Sequence, residues 1–264
     1  MNEEEKVVSE KDLEQDGELI LYEGKPFTGV GVDYHKNGQK KSEQNFKDGT
    51  EDGSSTRWYE NGEKMYELHF KDGVEAGLWK RWHSNGQISF EAVYNNGRIE
   101  GRWTTWFKNG QKKSERYRII CGNVGLWTEW YENGQRQSER HYKKGVLFGI
   151  LTKWYESGGK MLEERGGNGR QESLISWHEN GQKHIETNYK YVEHEVETTN
   201  KNGLIEKCTT ELKVEDGLYI EWYPNGKKKL EKHYKDGKEN GLRTEWSEDG
   251  KKTFQGNFKD GNEQ

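Results

Sequence analysis

A glycine recurs along this chain at nearly fixed spacing, and almost every fold is excluded by that fact alone. Gly38, Gly62, Gly86, Gly110, Gly134 and Gly158 stand 24 residues apart, and Gly181, Gly203, Gly226 and Gly250 follow at 22 to 24. A period of this length marks a repeat array whose units stack on their neighbours. Asn precedes most of these glycines, and Asn-Gly is the strongest short signal for a tight β-hairpin. The flanks alternate in the two-residue rhythm of strands and lack a helical apolar period.

Gly125–Tyr142 shows one unit clearly. A two-residue type I′ turn at Asn133-Gly134 would set Tyr131 opposite Arg136, Trp130 opposite Gln137 and Thr128 opposite Glu139. A three-residue turn with a bulge would shift that pairing. Four columns run in register with the turn glycine. Four residues before it stand Trp58, Trp82, Trp106, Trp130, Trp154, Trp177, Trp222 and Trp246. Five after it stand Glu43, Glu67, Glu91, Glu115, Glu139, Glu163, Glu186 and Glu231. Eight after it stand aromatics such as Phe46, Phe70, Tyr94 and Tyr142. Nine before it stand glycines that close a second, wider Asp-Gly turn, as in Lys71–Gly77.

These columns predict an all-β chain: an elongated antiparallel meander of about ten hairpin repeats of 22–24 residues, forming a twisted single-layer sheet, a ribbon like a β-solenoid. Residues 1–23 read as an acidic tail with a first strand or cap, and residues 24–264 as the array. Residues 164–216 are divergent. Thr199 and Cys208 there replace the expected Trp and Glu, so 190–216 reads as a drifted repeat, with a partner-specific patch as the alternative.

Hydrophobic residues make up only 29% of the chain, but aromatics reach 12% and the net charge is −5. A thin sheet held by aromatic and cross-strand polar ladders fits those numbers better than a thick aliphatic core. The charge balance disfavours nucleic acid as a partner. No apolar run approaches the roughly 18 residues of a membrane span. Cys121 and Cys208 form no disulfide framework, and no metal, cofactor or catalytic constellation is expected. The histidines are scattered; only His178 and His184 flank a common turn. The Glu column has no partner of contrasting environment for acid–base work and is expected to pair with Lys, Arg or Thr.

The unit Gly-x-Trp-x-x-Trp-Tyr-x-Asn-Gly-Gln-x-x-x-Glu-x-x-Tyr-Lys-Asp-Gly resembles the MORN-type repeat. It is similar in particular to the bacterial variant of YwqK-type antitoxin-like proteins, whose entry segment Gly24–Gly29 also resembles. The resemblance implies a non-enzymatic scaffold that binds a protein, a toxin in the antitoxin-like case, and acts by covering it; the lack of a membrane span and of a signal-peptide pattern in Met1–Lys6 reads as cytoplasmic. Membrane-surface scaffolding and glycan binding are the alternatives. Exposed aromatics are common interface anchors, and Trp58, Tyr59, Trp82, Trp106, Trp130, Tyr131, Trp154 and Tyr155 are the candidate partner-binding residues.

Overall fold

In a computed structural model, the structure describes residues 6–120, 122–199 and 205–264. Cys121 and Gly203 lie outside the described residues, as does the side chain of Cys208. The chain divides into two compact units. The first holds residues 1–134 and 142–145, and the second residues 135–141 and 146–264. Both are antiparallel meanders of hairpins, and no α-helix occurs among the described residues.

In the first unit, Gly29–Tyr34, Lys40–Lys47, Thr50–Trp58, Lys64–Lys71, Gly77–Trp82, Ile88–Asn95, Arg98–Trp106, Lys112–Ile119 and Gly125–Trp130 follow in sequence. Each pairs with the next. Val7–Ser9 lies parallel to Val30–Val32 and covers the first edge. The fit is close: a Cβ on Gly29 would stand 2.2 Å from the Lys6 carbonyl oxygen. Leu13–Asp16, Leu19–Tyr22 and Lys25–Pro26 form a separate three-stranded sheet. It sets Tyr22 against Phe27, and Phe27 against Phe46.

The two turn types exchange the roles that the dipeptides suggest. At Asn-Gly only the glycine has positive φ, for example +79° at Gly86. The Gly86 amide donates to His83 O and the His83 amide to Gln87 O. This is a type I turn closed by a glycine bulge, the three-residue alternative. A second bulge follows close to the turn, where the register shifts by one residue between Arg81 and Trp82. Trp82 faces Ile88, whereas Lys80 still faces Glu91. By analogy with that copy, Trp130 falls opposite Arg136 rather than Gln137, and the Thr128–Glu139 pairing is kept. Type I′ geometry sits at the Asp-Gly turn instead. Asp48 and Gly49 have φ of +50° and +84°, and Asp72-Gly73 and Asp236-Gly237 do the same. The wide turn is therefore a tight turn followed by a glycine kink.

The second unit resolves the divergent stretch. Lys183–Thr199 is one continuous strand paired with Ile205–Glu215. Tyr189 faces Glu215 and Lys190 faces Val214, as Phe70 faces Glu75 and Lys71 faces Val74. Gly217–Trp222 then returns to pair with Ile185 and Glu186. Residues 191–199 and 205–213 thus stand where Asp72-Gly73 stand in an earlier copy: a long strand pair in place of a turn, rather than a drifted repeat. Its base rests on the neighbouring turn. Arg170 pairs with Glu211, Lys213 Nζ donates to Gln171 Oε1 at 2.8 Å, and the Gln171 amide donates to Tyr191 Oη at 2.9 Å. Exposed contacts of this kind contribute about 1 kcal/mol or less each. Replacing 191–213 with Asp-Gly should therefore lower Tm by only a few degrees, roughly what ~1–2 kcal/mol moves in a chain this long. A collapse of the thermal transition in that variant would show that the strand pair carries the fold.

Candidate binding surface

Strand alternation gives every repeat two faces. One carries the residues seven before and eight after the turn glycine, and it forms the aromatic core. In the first unit Trp79 is 6% exposed and stacks on Tyr94 at 4.2 Å between ring centroids, with Phe70 on its other side at 5.5 Å. Its indole N–H donates to His69 O at 3.0 Å. Further along, the Arg116 guanidinium lies 3.5 Å from the Trp127 ring and 4.6 Å from that of Trp103. In the second unit burial among like groups pushes the Tyr219 hydroxyl up to about 12, with Glu221 and Tyr234 adding to the effect.

The opposite face carries the recurring Trp–Glu pattern. Residues two and five after the turn glycine would point apart on a straight strand. The bulge between them brings them to one face, and an ion pair forms in repeat after repeat. Lys64–Glu67 is 2.8 Å, Lys112–Glu115 2.6 Å, Lys160–Glu163 3.0 Å and Lys183–Glu186 2.6 Å. The bonded ammonium of Lys64 holds the Glu67 carboxyl below its ordinary range. Lys160, helped by Arg165, does the same for Glu163. The same lysines reach over the next tryptophan: Lys40 over Trp58 at 5.5 Å, Lys64 over Trp82 at 5.7 Å and Lys112 over Trp130 at 5.8 Å. The Glu column thus pairs mainly with Lys, and with Arg136 at Glu139.

Where the residue after the tryptophan is Tyr or His, it locks one turn to the next. Tyr59 Oη donates to Trp82 O at 2.9 Å and Tyr155 Oη to Trp177 O at 2.8 Å. Where histidine replaces tyrosine, the ring does the same work: His83 Nε2 lies 3.0 Å from Trp106 O and His178 Nε2 3.0 Å from Trp222 O. The turn asparagine adds a second link, as Asn61 Nδ2 donates to Ser84 O and Asn85 Nδ2 to Lys108 O. Asn180 Nδ2 donates to Pro224 O, so this ladder passes the long strand pair by.

The eight candidate anchors are thereby placed. Trp58, Trp82, Trp106, Trp130 and Trp154 are half-buried on the Lys–Glu face, and Tyr59, Tyr131 and Tyr155 are half-buried at the turns. Spacing reveals their column but not the cover over the tryptophans, which comes from a lysine of the preceding repeat. A second row, aliphatic except for Tyr117, shares the tryptophan face. Leu78, Val93, Tyr117 and Leu126 in the first unit, and Ile150, Leu218 and Leu242 in the second, are between 37% and 48% exposed. Leu78 and Val93 are cross-strand partners. The sequence signal is an aliphatic residue eight before the turn glycine.

His178 and His184 do meet, with ring centroids 4.4 Å apart. Among the described residues no group of three or more His, Cys, Asp or Glu is placed to hold a metal ion. Burial and the neighbouring His178 lower the His184 pKa, Lys229 adds to this and Glu221 opposes it. The unfolded chain therefore takes up this proton first as pH falls. The contribution of neutral His184 is present above about pH 6.5 and declines as pH drops through the lowered value. Tm should fall with acidification in that window, and His184→Gln should flatten the profile. An unchanged profile in the variant would rule the pair out as the cause.

The geometry defines a class: a β-hairpin repeat protein whose units are joined through their turns. The family model for the MORN repeat variant matches residues 27–48, 51–72, 76–96, 99–118, 123–144, 215–236 and 239–260, and the chain belongs to that family. The match omits 145–214, the stretch containing the long strand pair. No curated protein matches the sequence. The solved structures of TcdB2-TccC3-Cdc42 and TcdB2-TccC3 are each similar at 10% identity with a TM-score of 0.18, over 92% of this chain. The chain spans 17% of each of those chains. No helix among the described residues is long and apolar enough to cross a membrane.

Proposed function

We propose that the chain is a non-catalytic scaffold that binds a protein through the tryptophan face. The observation that carries this reading is the set of exposed aliphatic residues on the face that bears Trp58, Trp82, Trp106, Trp130 and Trp154: Leu78 and Leu126 in the first unit, and Ile150, Leu218 and Leu242 in the second. Aliphatic side chains recurring at one repeat position, left open to water and edged by paired charges, have the make-up of an interface core with a polar rim. The half-buried tryptophans would supply flat apolar area to a partner. Tyr59, Tyr131 and Tyr155 would act mainly by holding the turns in line. Occlusion of a partner's active surface in the cytoplasm, as an antitoxin acts, is the form of this function that the repeat pattern suggests.

Affinity purification of the full chain tests the reading, with Leu78→Glu and Leu126→Glu as comparison baits. A stoichiometric protein captured by the wild type and lost from both variants is the expected result. No such protein in the native extract, or equal capture by the variants, would count against the tryptophan face. Growth rescue on co-expression with the captured protein then tests the antitoxin role.

A further inference from the structure

One repeat of the first unit departs from its neighbours in a way that the binding face does not use. Eight residues after the turn glycine, where other copies place Phe46, Phe70 or Tyr94, this copy has Arg118. Beside it a cavity of about 290 Å³ opens at the Asp-Gly end of the repeat. Arg98 and Arg118 line it together with Glu100, Ile99, Ile119 and Ile120. Glu100 is already engaged, accepting a hydrogen bond from Asn95 Nδ2 at 2.7 Å. Among the described residues neither Arg98 nor Arg118 has an ion pair, a side-chain hydrogen bond or a ring contact. Ile120 is 77% exposed and Ile119 36%.

Two unpaired guanidinium groups and an exposed isoleucine wall are an unusual combination in a chain of net charge −5. Guanidinium forks match carboxylates in geometry and are less strongly hydrated than ammonium groups, which suits them to partly desolvated recognition. The isoleucines offer apolar contact beside the charge. An anionic membrane is a poorer fit, because lipid headgroups are best met by several cations on one open surface, whereas these two line a concavity.

We propose that this cavity docks an acidic peptide segment of a partner protein, with Arg98 and Arg118 taking a carboxylate and the isoleucines taking the apolar side chain next to it. The inference rests on the protein-binding reading and gives that partner a chemistry. The carboxylate can come from an Asp or Glu side chain or from a chain terminus.

The test uses the full chain and two labelled peptides read by fluorescence anisotropy. One is Glu-Leu-Glu-Phe-Glu-Leu-Glu with an amidated terminus, and the other is Gln-Leu-Gln-Phe-Gln-Leu-Gln with a free carboxylate. Saturable binding of either supports the proposal and identifies the carboxylate source, provided Arg98→Glu and Arg118→Glu each weaken it about tenfold or more, as expected when a charge pair becomes a clash. Lys36→Glu, at an exposed turn position, should leave binding unchanged, and all variants should keep the wild-type Tm. Failure of both peptides to bind, or binding indifferent to both arginine reversals, overturns the proposal. So does arginine-dependent sedimentation with phosphatidylserine vesicles in the absence of peptide binding. If the affinity-purified partner is retained by the Arg98→Glu/Arg118→Glu chain but lost from Leu78→Glu, this inference falls and the protein-binding reading stands.

Discussion

Trp79→Ala should destabilise the first unit by about 3–5 kcal/mol, the range for truncating a buried tryptophan. The side chain is 6% exposed and packed between Phe70 and Tyr94. Its removal leaves a hole that a single-layer sheet has no second layer to fill, and it strips the His69 carbonyl of a donor. Trp82, three residues on, has the same chemistry but lies half-buried under Lys64. Trp82→Ala should cost roughly 1–2 kcal/mol, in line with partial loss of apolar cover and a surface cation–π contact. Urea denaturation of both variants checks the ordering. A Trp82→Ala loss equal to that of Trp79→Ala would mean that the core has been assigned to the wrong face.

That ordering shows what the sequence makes legible. Turn glycines and columns are periodic, so the meander and its strand pairing away from the turns can be read directly. Burial is not periodic in the same sense. Both tryptophan columns recur, and only the three-dimensional stack shows that Trp79 meets rings while Trp82 meets a lysine. Turn chemistry misleads for a related reason. Asn-Gly and Asp-Gly both suit type I′ geometry, and the choice rests on where the strands resume pairing. The structure uses asparagine for its amide, which reaches across to the next turn, and leaves the positive φ pair to Asp48-Gly49 and its equivalents. The turn ladder runs from Asn180 directly to Pro224, so the regular count of turn glycines does not show which repeats are neighbours. The exposure of Leu78 and Leu126 is not legible in the sequence, because an aliphatic residue near a strand end reads by default as core.

The turn ladder makes the second large prediction. Tyr59→Phe removes the donor to Trp82 O, and Asn61→Ala removes the donor to Ser84 O as well as an acceptor for the Glu63 amide. Each bond contributes about 1 kcal/mol, and the double variant should lose about 2–3 kcal/mol. Because both links join the same pair of turns, losing the first lets the turns separate and weakens the second. A double-mutant cycle should therefore show a coupling of about 0.5 kcal/mol or more, the range for residues sharing one network. The turn at Gly250 supplies the control. Ser247 and Asp249 occupy the tyrosine and asparagine positions there, and their side chains bond within the turn: Ser247 Oγ to Asp249 Oδ1 and to Lys251 O, with the Lys251 amide donating to Asp249 Oδ1. Ser247→Ala/Asp249→Ala removes contacts internal to one turn and should cost less than Tyr59→Phe/Asn61→Ala, with no loss of docking between repeats. Equal losses in the two double variants would mean that these positions stabilise turns locally and that the ladder between repeats contributes nothing measurable. A larger loss at Tyr59 and Asn61 would show that the array is held along this edge by side chains as well as through strand pairing.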